Sequence, residues 1–127
     1  MAWNRSGVAG DLPCEECALD ELMERSDVVS LHLSLTDETA GMIDARRIGL
    51  MRPSALLINT ARGNILDTEA LVERLRRNDL FACLDVFEDE PLPRNNELRK
   101  LPNVFLTSHI AALSAEVYDK AAVALVA

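Results

Sequence analysis

The spacing of hydrophobic residues changes several times along the chain, and each change marks an element. Ala2 and Trp3 read as the end of a strand, followed by a polar, glycine-containing loop through Asp11. Leu19, Leu22 and Met23 recur at i, i+3 and i+4, which predicts a short helix over Leu19 to Met23. DVVSLHLSL is dense in β-branched and large apolar residues, so Val28 to Leu33 is expected to be a strand buried on both faces, as in a parallel sheet. After a polar turn at Thr36 to Thr39, DARRIGLM places Ile48 and Met51 on one side of a helix that ends before Pro53. Ala55 to Asn59 is the next strand.

Asp67 or Thr68 is expected to cap a helix through Arg77, with Leu71, Val72 and Leu75 inward and Glu69, Glu73, Arg74 and Arg76 in water. Strands at Phe81 to Val86 and Val104 to Thr107 flank an acidic, proline-marked loop, Glu88 to Pro102, whose length suggests a functional excursion. Ser114 to Ala127 is predicted to be an alanine-rich helix capped by Ser114. Strands alternating with helices over the whole chain imply an α/β fold with a parallel sheet and right-handed crossovers. In such sheets ligands collect beyond the carboxyl ends of the strands, where loops converge and helix N-termini point their amides.

At 127 residues one core is expected. A formal charge of −8 disfavours nucleic acid and anionic lipid as partners. No apolar run has the length of a membrane helix, and the first five residues carry no signal core. Three cysteines cannot all pair, so a reducing cytoplasm is the expected compartment. Cys14 and Cys17 form a CxxC that suits a redox pair or half a zinc site. Zinc would need two further ligands from the scattered Cys83, His32 and His109, so no metal is expected.

Three strand exits carry polar groups: Thr60 to Gly63, Asp85 to Glu90, and Ser108 with His109. An arginine can grip a carboxylate with two parallel hydrogen bonds, a histidine can exchange a proton near neutral pH, and a carboxylate beside it fixes its tautomer. Arg62, Glu90 and His109 together suit a hydroxy or keto acid. Each also has a bland reading, as a solvated loop arginine, one charge in an acidic loop and a strand-end histidine. His32 reads as structural.

LLINTARGNILDTEALVERL, CLDVFEDEPLP and LPNVFLTSHIA resemble three consecutive motifs of the D-2-hydroxyacid dehydrogenase family, and SDVVSLHLSLTDETAGMI resembles the segment before them. The resemblance covers nearly the whole chain. It implies that Arg62 holds the substrate carboxylate and polarises its carbonyl, that Glu90, before Pro91, pairs with the catalytic histidine, and that His109 is that histidine. It implies too that Asp85 contacts the nicotinamide side, that Leu33, Ser34 and Leu35 with Thr39 line the adenosine, and that Thr60 and Ala61 lie beneath the nicotinamide ribose. Asn4, Arg5 and Ser6 occupy the strand exit where relatives preferring NAD place an acid. Arg5 could pair with a 2'-phosphate and Ser6 donate to it, so NADP is expected over NAD. Ser34 and Ser108 replace usual prolines, and Ala111 with Ala112 replaces common glycines, which narrows the approach to the nicotinamide.

Family members open this domain with a strand and a GxGxxG turn for the pyrophosphate, and Gly7 and Gly10 do not supply one. The chain therefore reads, over residues 1 to 127, as a partial NAD(P)-binding domain without a substrate domain, inactive in isolation and with cofactor binding itself in question. Removing the first strand from the order 3-2-1-4-5-6 and renumbering gives 2-1-3-4-5, the flavodoxin-like order. The strand ending at Trp3 is then expected to close the gap beside Ala55 to Asn59. Otherwise unpaired edges recruit a second copy, giving a homodimer. A non-catalytic interaction or dimerisation module is the rival reading.

Overall fold

The computed structural model describes residues 1–114. Four strands, β1 (Val28–Leu31), β2 (Ala55–Asn59), β3 (Leu80–Leu84) and β4 (Val104–Leu106), form one all-parallel sheet in the order β1-β2-β3-β4. The α/β class and the parallel, Rossmann-like sheet are as expected. Val28 pairs with Leu56, Leu56 with Phe81, and Ala82 with Val104.

Three helices, α1 (Leu19–Arg25), α2 (Ala45–Leu50) and α3 (Thr68–Leu75), pack on one face of the sheet. Met23, Ile48, Leu71 and Leu75 close on Val29, Leu31, Leu57, Ala82 and Leu84. Both later helices start where a side chain satisfies an orphan N–H: Asp44 accepts from Arg47 N at 2.8 Å, and Asp67 from Ala70 N at 2.9 Å. Asp67 is thus the cap, and α3 stops at Leu75, two residues short of Arg77. The predicted helix after Ser114 lies outside the described residues.

The strands alternate instead of being buried on both faces. Val28, Phe81 and Phe105 are 54%, 47% and 65% exposed, because among the described residues no helix covers the second face. β1 ends at Leu31, two residues early, and the long loop holds a short 3-10 turn, Glu97–Lys100, capped by Asn96.

The flavodoxin-like order is not formed. β1 pairs directly with β2, and Ala2 makes an isolated parallel bridge to Glu16 instead of entering the sheet beside Ala55–Asn59. Glu16, in the segment between the first loop and α1, supplies that partner. In the 3-2-1-4-5-6 frame, Glu16 and Ala2 take places three and two, β1, β2 and β3 take four, five and six, and β4 lies beyond the sixth. A cavity separates Met1–Asn4 from β1 at the remaining place.

Candidate active site

β2 ends at Asn59, which is fully buried. Its Nδ2 donates to the Arg62 carbonyl at 3.0 Å, and its Oδ1 accepts from the Ala61 N–H at 3.0 Å. The next loop is thereby folded back onto the strand end before Arg62 projects. Arg62 is exposed, its Nη1 donating to the Ala61 carbonyl at 2.6 Å. Gly63 follows, and a Cβ there would stand 2.0 Å from the Phe87 carbonyl carbon and 2.4 Å from Glu88 N. Space requires glycine at this point: the loop bearing Arg62 lies directly against the loop that leads to Glu90.

At the end of β3, the Asp85 carboxylate is buried and accepts from the Thr107 hydroxyl, from Ile110 N at 2.9 Å and from Ala111 N at 2.9 Å. Its backbone joins both neighbours, with Asp85 N donating to Asn59 O at 3.0 Å and His109 N donating to Asp85 O at 2.8 Å. Burial pushes the Asp85 carboxyl up, but the three donors and the nearby His109 outweigh it and leave it below its ordinary 3.8. These bonds hold the turn after β4 against the end of β3. His109 sits in that turn at φ 58°, in the left-handed region.

The His109 ring bonds through Nδ1 to Glu90 Oε2 at 2.8 Å, while Glu90 Oε1 accepts from Phe87 N at 2.9 Å. The bond to His109, then that from Phe87, holds Glu90 below its ordinary 4.5, against smaller opposition from burial and from Asp85. With Nδ1 turned to the carboxylate, Nε2 is the nitrogen left for a ligand. Both side chains line a cavity of about 390 Å³ together with Phe87, Leu106, Thr107 and Ser108. Arg62 stands outside this cavity, one strand over on the same rim. The structure therefore joins His109 to Glu90 and brings Arg62 to the neighbouring loop.

The other predicted group lies at the exits of the first segment and β1. Arg5 pairs with Glu38, 33 residues away, which ties the Asn4–Ser6 loop to the loop after β1. In that loop Thr39 is buried, donating to Ser34 O at 2.7 Å and accepting from Thr36 N at 2.8 Å. Leu33 packs against the core and Leu35 is exposed. Thr60, the first residue after β2, is exposed, and Ala61 packs against the core. Cys14 and Cys17 are free thiols, and among the described residues no three potential ligands gather for a metal. The parts played by Glu38, Gly63 and Thr107 were not legible in the sequence, since each acts on a partner distant in the chain.

A family model of the D-isomer specific 2-hydroxyacid dehydrogenase NAD binding domain matches residues 1–111. The chain belongs to this family. A glyoxylate reductase of Thermofilum pendens is 50% identical over 105 residues, covering 82% of this chain and 31% of its own length. An acyclic imino acid reductase in complex with NADPH and D-Arg superposes with a TM-score of 0.89 at 33% identity, over 98% of this chain and 39% of that one. A D-isomer specific 2-hydroxyacid dehydrogenase of Xanthobacter autotrophicus, in complex with NADPH and MES, gives 0.80 at 37% identity, over 88% and 37%. The chain thus spans about a third of the length of the curated relatives it matches.

Arg5 and Ser6 are exposed at one exit, and Thr60 with the His109 turn at others. For a pyrophosphate, the described residues offer no glycine-rich turn opening a helix. Among the described residues no helix is long and apolar enough to cross a membrane.

Proposed function

We propose that this dehydrogenase domain serves hydride transfer between NADP(H) and a 2-keto or 2-hydroxy acid, and that the 127-residue chain alone turns over little or no substrate. The observation that carries the reading is the 2.8 Å bond between His109 and Glu90 on the rim that also presents Arg62. Glu90 orients the imidazole so that Nε2 delivers a proton to a carbonyl oxygen, and it stabilises the imidazolium before that transfer. Arg62 leaves the Ala61 carbonyl to grip the substrate carboxylate with two parallel bonds, which aims the carbonyl at His109. The bound nicotinamide supplies the hydride. Asn4, Arg5 and Ser6 would hold the adenosine ribose, with Leu33, Ser34, Leu35 and Thr39 beside it and Thr60, Ala61 and Ala111 at the nicotinamide end.

Preference for NADP rests on Arg5, whose guanidinium must exchange Glu38 for a 2'-phosphate. That exchange is accessible because the pair is exposed, and exposed pairs contribute little. Titration of the chain with NADPH and NADH, followed by nucleotide fluorescence, tests the assignment. Tighter binding of NADPH, with the difference lost in Arg5→Ala, is expected. Equal affinities that Arg5→Ala leaves unchanged would remove Arg5 from the site.

A further inference from the structure

The loop that carries Glu90 has little backbone attachment of its own. Among the described residues, no hydrogen bond between backbone groups involves residues 88–92. The bond from Phe87 N to Glu90 Oε1 lies within the loop, so it shapes the loop without fixing its place against the turn of His109. Past Pro91, the side chain of Leu92 is buried, and its carbonyl accepts from Arg99 Nη2 at 2.8 Å. Arg99 Nε donates to the next carbonyl, that of Pro93, at 3.0 Å. Two successive carbonyls thus receive two donors of one planar guanidinium, a fork that sets distance and orientation together. Arg99 is in turn well founded. It belongs to the 3-10 turn Glu97–Lys100, in which Leu98 is buried in the core, Asn96 Oδ1 accepts from Leu98 N at 2.9 Å, and Glu97 pairs with Arg76 of α3. The same segment runs on through Pro102 into β4 and so to His109.

We infer that Arg99 is a positioning residue, whose grip on the Leu92 and Pro93 carbonyls holds the Glu90 loop at the separation from which the carboxylate meets His109 Nδ1. Arg99, Glu90 and His109 line one cavity, of about 390 Å³, so the tether and the pair it serves stand on the same walls. The Glu90–His109 bond joins two segments 19 residues apart in the chain, and its length depends on how those segments lie. At 2.8 Å it tolerates less than about 1 Å of drift before it ceases to be a hydrogen bond. Without Arg99 the loop keeps the Leu92 side chain as its anchor, and the carboxylate stays bonded to Phe87 while its distance from the imidazole is no longer set. The role belongs to the fork and not to the charge: a lysine would bring one donor point where the two carbonyls call for two. The inference rests on the reading of Glu90 and His109 as the proton-transferring pair, and adds the residue that keeps them in register.

The test compares the 127-residue chain with its Arg99→Ala, Arg99→Lys and Lys100→Ala variants by NMR, reading the Glu90 carboxyl titration and the tautomer of the neutral His109 ring from its nitrogen-15 shifts. In the unaltered chain Glu90 titrates below 4.5 and the ring carries its proton on Nδ1. Arg99→Ala is expected to raise the Glu90 midpoint toward 4.5 and to turn the ring into a mixture of both tautomers. Arg99→Lys should fall between the two. Lys100→Ala, which takes a cation from the same turn, should match the unaltered chain. A lower urea midpoint in Arg99→Ala, with the Glu90 titration and the tautomer both unmoved, would overturn the inference by showing a role in stability alone. Equal shifts in Arg99→Ala and Lys100→Ala would overturn it as well, since charge and not the fork would then be the cause. An unaltered chain in which Glu90 titrates at 4.5 and the ring is already a mixture strikes the pair itself, and with it the proposed chemistry.

Discussion

Replacing Asp85 by alanine removes the acceptor shared by Thr107, Ile110 and Ala111, and with it the hold on the turn that carries His109. The two N–H groups lie near solvent and recover part of the loss from water, so a destabilisation of about 2 kcal/mol is expected in urea unfolding. Exchange at Ile110 and Ala111 should accelerate in the folded state. The same carboxylate and Glu90 set an acid limit. Both are lowered from 3.8 and 4.5, so their contribution is complete above those ordinary values and lost as pH falls through the lower folded ones. Carbon-13 carboxyl titration is expected to show Glu90 protonating below 4.5, and His109→Gln to move that midpoint up. An unmoved midpoint would mean that the pair is not formed.

Elements decide how well such residues are aimed. Asp67 caps α3, whose buried face is Leu71, Val72 and Leu75, where the loop that follows Arg62 ends. Asp67→Ala should cost about 1 kcal/mol in the urea midpoint with an unchanged slope. This cap was legible in the sequence because capping is local: Asp67 and Ala70 are three residues apart. The strands were legible for the same reason, through runs such as ALLIN. Their order was not, because Ala2 gives no local sign that Glu16 and not the β2 edge is its partner. Burial of β1 on both faces was overread, since VVSL has the composition of a central strand while one of its faces has no covering helix among the described residues. At the site, the types of Arg62, Glu90 and His109 were readable, whereas the close packing at Gly63 and the clamp by Asp85 depend on loops that meet only in three dimensions.

At the scale of the molecule, the described residues form a parallel sheet with helices on one face, with Arg62, Glu90 and His109 at its carboxyl rim and a cavity beside β1. Rim and cavity are separate: Asn59, Asp85 and His109 are tied across β2, β3 and β4, the half of the sheet away from that cavity. The rim should accordingly keep its geometry in the chain as it stands, even where turnover is absent. The proposed chemistry requires Arg62 and the His109–Glu90 pair to receive one small keto acid together. Oxamate, a carboxylate with an adjacent carbonyl, probes this through the nitrogen-15 resonances of the Arg62 guanidinium and the His109 imidazole. Both sets should shift along one common binding curve, lost from His109 in Arg62→Ala and from Arg62 in His109→Gln. Shifts at one residue alone, or unrelated curves for the two, would contradict a shared site.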